Sequence, residues 1–588
     1  MTRPYATHPT PARVSAQAAR PFPSAVLWIL CVVYIFAGLF GRAPWPQDDA
    51  AGFGLMTHMA EALAQGNAAL WWLPTVAGMY ITDEGPLAFW VGALFQHVLG
   101  ASVGPVAATR LACVLWFTLT VLGVWHTMRR LARREEAQPI AFVFGGEASN
   151  HAYGRMLADM ATLLFIGTVG IALRIHETSA EPAALALAAA GFYGLVLTLD
   201  RPLAGALVAG ASFGLWMLTR GASHAPFMAL AYIGAFALMP LARSTRTGVI
   251  IAFVLLASLM VSLWPLGAYT YAPAQATNYF NLWQDNFKAS LTWPTQEGLG
   301  WLLRNTLWYT WPLWPLALWT LYSWRHALRA WHLLLPLCLT GGALSAAVFS
   351  QTPTDAVLML LLPPLSILAA FGAPTLRRGA DNSIDWMSIA LFSLLALVTW
   401  AYFIAMQTGT PPKMAASVAR LTQGFHAQLE PAAIALAIAA TSAWLALIGW
   451  RLRRRPEVLW RGPLLAASGL VMLWSVLASL FMPAIDHNRH YAQLAERIAQ
   501  AAQSLGGPNV CFMPHRLSPA HLALFAHYGK LRFAQIHRGE VCSLALHRDS
   551  ARTLLDDDPP PGQWQAMWEG GWPARPDETF RIYRRMVP

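Results

Sequence analysis

Apolar residues run along this chain in blocks of 17 to 24, separated by short polar or basic turns. A block of that length crosses a hydrocarbon layer of about 30 Å as one helix. The blocks fall at 24–41, 106–128, 159–175, 182–199, 203–219, 222–240, 248–266, 303–323, 330–348, 356–373, 384–407, 431–450 and 463–482, which predicts thirteen spans. Most of them lack the polar face of a helix at the surface of a soluble protein. Two segments break the pattern. Residues 42–105 form a long loop with an amphipathic stretch (GFGLMTHMAEALAQG), the pair Trp71 and Trp72, and the apolar piece PLAFWVGALFQHVLG, which reads as a helix lying in the membrane interface. Residues 484–588 alternate β-like runs (NVCFM, KLRFAQI, CSLAL, FRIYRR) with helical ones (YAQLAERIAQAAQSL, SPAHLALFAHYG), predicting a small soluble α/β domain. DDDPPPG at 556–562 reads as a solvated turn. The expected organisation is a polar tail over 1–23, a membrane domain over 24–483 and a soluble domain over 484–588.

Composition agrees. Of 588 residues, 56% are hydrophobic and only 12% charged, with a mean hydropathy of +0.43. Globular chains carry about a quarter charged residues, so a disordered chain, a nucleic-acid-binding domain and an ordinary cytosolic enzyme are excluded. The net charge of +11 then reads as topology-setting basic loops. With the N-terminus inside, the inner segments hold twenty lysines and arginines and the outer ones before the tail hold eight. That bias predicts a multi-pass inner-membrane protein with a cytoplasmic N-terminus and a periplasmic C-terminal domain. The short apolar run 139–146 stays in an inner loop, because making it a span would put the arginines of 451–455 outside. The first apolar run reads as an uncleaved helix. In an oxidising compartment Cys511 and Cys542 can bridge.

Candidate chemistry concentrates in the outer loops. Asp48 and Asp49 follow the first helix, and Asp83 and Glu84 precede PLAFW. Each pair also suits the start of a helix. Two acid pairs in one loop of so acid-poor a chain are more than capping requires. His176, Glu177 and Glu181 sit in the next outer turn. Acids converging from separate loops could serve as a general base or bind a divalent metal, Asp48 and Glu177 being the candidates. Arg220, at the outer end of its helix, runs against the positive-inside trend, which suits an anion such as a lipid phosphate. Snorkelling is the equal alternative. Lys288 and Arg304 are weaker cases of the same kind. Nucleotide-binding and zinc motifs are missing, and membrane segments poor in acids argue against a proton pump.

The order and spacing of QDDAAGFGLMTHMAEALAQGN, DEGPLAFWVGALF and GLWMLTRG resemble the GT-C-fold membrane glycosyltransferases, nearest to the lipid A aminoarabinose transferase and protein O-mannosyltransferase group. The resemblance covers most of the chain. It implies an all-α polytopic GT-C fold and transfer of a sugar from a polyprenyl phosphate, expected here to be undecaprenyl phosphate. The acceptor would be a glycolipid or protein at the outer face. Asp48 falls on the group's catalytic aspartate, Asp49 on its acidic neighbour and Glu177 loosely on an acid of the second outer loop. Asp83 and Glu84 fall where the group has Glu-Lys, and Arg220 on the lysine of L-T-K-G. Departures stand beside these matches. Glu84 replaces a lysine, Ala51 an arginine, and FSQTPTDAV lacks the usual basic and tyrosine residues, which leaves donor sugar and acceptor open and argues against an aminoarabinose transferase proper. Chemically, Asp48 would deprotonate the acceptor while Arg220, with Lys288 or Arg304, holds the leaving phosphate, inverting the anomeric centre. The alternative is a lipid or glycolipid transporter or flippase.

Overall fold

The computed structural model describes residues 10–219, 224–351, 354–454, 456–507, 510–535, 540–550, 563–572 and 575–586. It is mostly helical. Each of the thirteen apolar blocks coincides with a helix or a helix pair. Among the described residues, seven helices are long and apolar enough to cross a membrane, including Pro105–Ala132, Arg243–Tyr271 and Arg378–Thr408. Shorter apolar helices, such as Ser24–Phe36 and Glu181–Leu197, complete the bundle. Their buried faces form one large core containing Tyr34, Phe117, Phe165, Phe192, Trp324 and Phe371.

Proline and glycine set the departures from the predicted blocks. The block 303–323 splits into Gln296–Tyr309 and Leu313–Ser323 at Pro312, which has no N–H to continue the ladder. The block 356–373 splits into Asp355–Met359 and Leu362–Gly372 ahead of Pro363 and Pro364. The first helix stops at Phe36, before Gly38 and Gly41, which both adopt positive φ.

Hydrogen bonds of backbone and side chains sort the loops between two ends of the bundle. At one end the N-terminal tail lies against the 139–148 loop: Ile140 N–H donates to Ala12 O at 2.9 Å and Ala148 N–H to Val14 O at 3.0 Å. The turn at 456–461 joins it through Leu459 N–H to Ala18 O and Trp460 Nε1 to Arg20 O. At the other end, Arg42 reaches the His176 carbonyl, and Ala43 N–H and Trp45 Nε1 both donate to Asp486 Oδ1 at 2.9 Å. The run 139–146 thus shares its end with the tail and with the basic turn.

The C-terminal part is a five-stranded sheet flanked by helices. Its strands are β3 (Cys511–His515), β4 (Arg532–Phe533), β5 (Leu544–Ser550), β6 (Trp564–Trp572) and β7 (Arg575–Arg585), in the order β4-β3-β5-β7-β6. A two-stranded hairpin in the first loop, β1 (Thr75–Val76) with β2 (Met79–Tyr80), precedes them in the chain. β3 pairs in parallel with β4 and β5, and β7 pairs antiparallel with β5 and β6. A disulfide joins Cys511 to Cys542, with Cα atoms 5.5 Å apart. The helix Pro519–Tyr528 starts on a capping box formed by Ser518 and His521, with Pro519 in its first turn.

This part shares a core with the first loop. Leu55, Met56, Val76 and Phe89 pack in one cluster with Leu494, Ile498, Phe525, Phe580 and Ile582. The helix Asp48–Ala64 is the common wall, with Phe53 edge-on to His527 of the helix Pro519–Tyr528 and Gly54 backed on Ala523.

Candidate active site

The site forms where the Asp48–Ala64 helix begins. Two acids in its first turn match the partial positive charge of a helix N-terminus. Adjacent residues on a helix point about 100° apart, and the two carboxylates meet different surroundings.

Asp49 is buried, with its side chain 2% exposed. Its Oδ2 accepts from Arg42 Nη1 at 2.7 Å, Arg110 Nη2 at 3.3 Å and Trp45 N–H at 3.0 Å. Its Oδ1 accepts from Thr178 N–H and Oγ1, both at 2.8 Å. Burial works to raise its pKa. Arg42, Arg110 and the two backbone N–H groups outweigh that and hold the carboxyl well below its usual range. With this many donors Asp49 is a structural anion pinning three segments together. Gly52, one turn on, lets the helix approach the 176–181 turn: a Cβ there would sit 1.9 Å from the Thr178 carbonyl oxygen.

Asp48 stays part-exposed, its side chain 30% accessible. Its Oδ2 accepts from Arg174 Nη1 at 3.0 Å, and the same nitrogen donates to Glu177 Oε2 at 2.9 Å. Arg174 Nη2 lies 3.5 Å from Asp355 Oδ2. One guanidinium therefore gathers three carboxylates from three separate stretches of chain. Glu177 is buried; burial lifts its pKa to about 8 against the pull of Arg174, with Asp49 adding to the rise.

The other predicted residues sit as follows. Glu84 is buried and Asp83 exposed, in a segment held to the end of the helix Pro202–Met217 by Leu87 N–H to Leu218 O at 3.0 Å. Arg220 lies outside the described residues. Lys288 is exposed and pairs with Asp285 at 3.7 Å within its own helix, and Arg304 is exposed on the helix Gln296–Tyr309. No ion pair ties either of them to the Arg174 cluster among the described residues. His176 is fully buried, with both ring nitrogens against backbone carbonyls, of Ala172 at 2.6 Å and Tyr34 at 2.9 Å, and burial lowers its pKa to about 4.

A divalent metal between Asp48 and Glu177 fits this arrangement poorly. The Arg174 guanidinium stands between the two carboxylates, and no three His, Cys, Asp or Glu side chains converge as a ligand set among the described residues.

Sequence reasoning passed over Arg42, Arg110, Arg174 and Asp355. The signal for the arginines was present: the expected topology puts all three among its few outer basic residues, against the positive-inside trend. Each turns out to carry a carboxylate.

No protein-family model matches the chain, and no curated protein matches it. Its fold is similar to that of solved structures of ArnT from Cupriavidus metallidurans. Against the form bound to undecaprenyl phosphate the TM-score is 0.64 at 14% identity, over 95% of this chain and 97% of that one. Against the apo form it is 0.60, at the same identity and coverage. At this identity the likeness is one of fold. The chain has the GT-C architecture of a polytopic helical domain with a small C-terminal sheet domain.

Proposed function

We propose that the protein is a membrane glycosyltransferase that moves a sugar from a polyprenyl phosphate to an acceptor, with Asp48 as general base. The observation that carries this reading is the part-exposed Asp48 carboxylate, set at a helix N-terminus and held by Arg174 together with Glu177 and Asp355. Supporting it is the fold shared with ArnT, which was solved bound to undecaprenyl phosphate.

The chemistry follows from charge. A phosphate leaving group needs no proton, only cationic stabilisation. The acceptor hydroxyl needs a base, and positioned bases contribute typically ~10²–10⁴-fold. Arg174 aims the Asp48 carboxylate through its hydrogen bond to Oδ2. Arg220 remains our candidate for the phosphate, with Lys288 and Arg304 as weaker ones, and Asp83 and Glu84 as residues of the substrate cavity. The acceptor oxygen, losing its proton to Asp48, attacks the anomeric carbon from the face opposite the leaving phosphate, which inverts that centre. We further assign the end carrying the site, with the disulfide-bearing domain, to the periplasmic face of a bacterial inner membrane, because disulfides persist in oxidising compartments. The acceptor is a lipid A-type glycolipid, a protein or another envelope glycan.

The test is mass spectrometry of envelope glycolipids and glycoproteins from a deletion strain complemented with wild type or Asp48→Asn. A sugar lost on deletion and restored only by wild type supports the reading. Unchanged glycans with altered lipid distribution would favour a flippase.

A further inference from the structure

Away from the Arg174 cluster, the C-terminal domain carries a groove of about 350 Å³ between the helix Ala492–Gly506 and strand β6. That is within the range of small-molecule sites, about 300–1,000 Å³. Arg497, Gln500, Ser504 and Leu505 line it from the helix, and Met567 and Trp568 from the strand.

Three features of β6 build its floor. Residues 567 and 568 both line the groove, although neighbours on a regular strand point to opposite faces. The ladder explains this: Ala566 pairs with Tyr583 and Trp568 with Ile582, so Met567 is an extra residue in a bulge. Next, Gly570 makes room for the indole to lie along the strand, since a Cβ there would stand 2.5 Å from two ring carbons of Trp568. Finally, Trp568 packs against the domain core and is half-buried, so the ring is held in place while the groove stays open. The rim is polar. Arg497 Nη1 donates to Gly571 O at 3.2 Å, which fixes the guanidinium across the strand, while Gln500 and Ser504 are exposed.

We propose that this groove binds a saccharide, with a sugar ring laid on the Trp568 indole and its hydroxyls hydrogen-bonded to Arg497, Gln500 and Ser504. The chemistry of the lining selects this ligand. A sugar ring has one apolar C–H face and a rim of hydroxyls that both donate and accept. The groove offers a flat aromatic surface with a rim of the same mixed character. A purely apolar ligand would cover the Gln500 amide and the remaining N–H groups of Arg497 without pairing them, and one carrying several negative charges would meet a single guanidinium in the lining. A held side chain and a fixed ring cost little ordering on binding. The groove stands on its own residues and does not depend on the transferase reading. If both hold, it is where the glycan part of an acceptor is retained near the membrane.

The experiment uses the full chain in lipid nanodiscs, carrying Asp48→Asn so that no turnover interferes. The probes are defined di- to tetrasaccharides of hexose, hexosamine and heptose, screened on an array and checked by saturation-transfer NMR. At least one binds, and both Trp568→Ala and Ser504→Trp weaken it tenfold or more at unchanged melting temperature. Ser504 is exposed on a helix, so its variant fills the groove without touching the core and decides the matter should Trp568→Ala fail to fold. Absence of saccharide binding, binding unchanged in Ser504→Trp, or binding only of extended peptides along the β6 edge overturns the proposal. Trp568-dependent binding without any transferase activity in the wild type would leave this inference standing and remove the catalytic one.

Discussion

Arg174 donates from Nη1 to Asp48 Oδ2 at 3.0 Å, across 126 residues of chain. The contact joins the start of the first-loop helix to the short helix Ile171–Arg174. It orients the carboxylate, which stays part-exposed.

Asp48→Asn keeps the size of the side chain and removes the base. Transfer falls by roughly 10²–10⁴-fold if Asp48 takes the acceptor proton, while the melting temperature stays near wild type because Asp48 is part-exposed. Product formation in proteoliposomes, set beside a thermal melt, checks both. A near-wild-type rate would remove Asp48 from the mechanism.

Asp49 gives the opposite expectation. Asp49→Ala leaves Arg42 and Arg110 as uncompensated buried cations. Breaking a buried pair costs about 3–5 kcal/mol, so the variant is poorly folded, which thermal melts in detergent and expression yield report. The pH sense follows from the depressed pKa of Asp49. Its contribution is present above the ordinary carboxyl range, near 3.8, and is lost as pH falls through the lower folded value.

Glu177 titrates the other way. Its carboxyl is raised from an ordinary 4.5 to about 8, so the folded state holds its proton more tightly than the unfolded state. Stability from this group is full below pH 4.5 and declines as pH rises towards 8. Melting temperatures measured from pH 5 to 8 therefore fall more steeply for wild type than for Glu177→Gln. Parallel profiles would show that Glu177 is ionised throughout.

The Cys511–Cys542 bridge spans 31 residues. Loop-closure entropy for such a span amounts to about 3–4 kcal/mol. A Cys511→Ser, Cys542→Ser double variant lowers the stability of the C-terminal domain by that order, read as earlier proteolysis within it. Mass spectrometry of the untreated and reduced wild type checks that the bridge forms in the cell.

What the sequence determined by itself is the layout. Thirteen apolar blocks mark the helical regions because a bilayer admits few other backbone states. The alternating segments after 484 mark a sheet, and an acidic pair in an acid-poor chain draws attention to residue 48. Even the helix breaks at Pro312 and at Pro363–Pro364 were written there, though a block average hides them. What only the tertiary structure decided is which acid does what. Asp48 and Asp49 are the same residue type at adjacent positions. They differ because Arg42, Arg110 and Thr178 close over one, and Arg174 meets the other at a surface. Those partners come from turns far apart in the chain, and no local pattern encodes a contact between residues 48, 174 and 355. Periodicity reports which face of an element is buried, whereas the meeting of charges depends on how the buried faces pack.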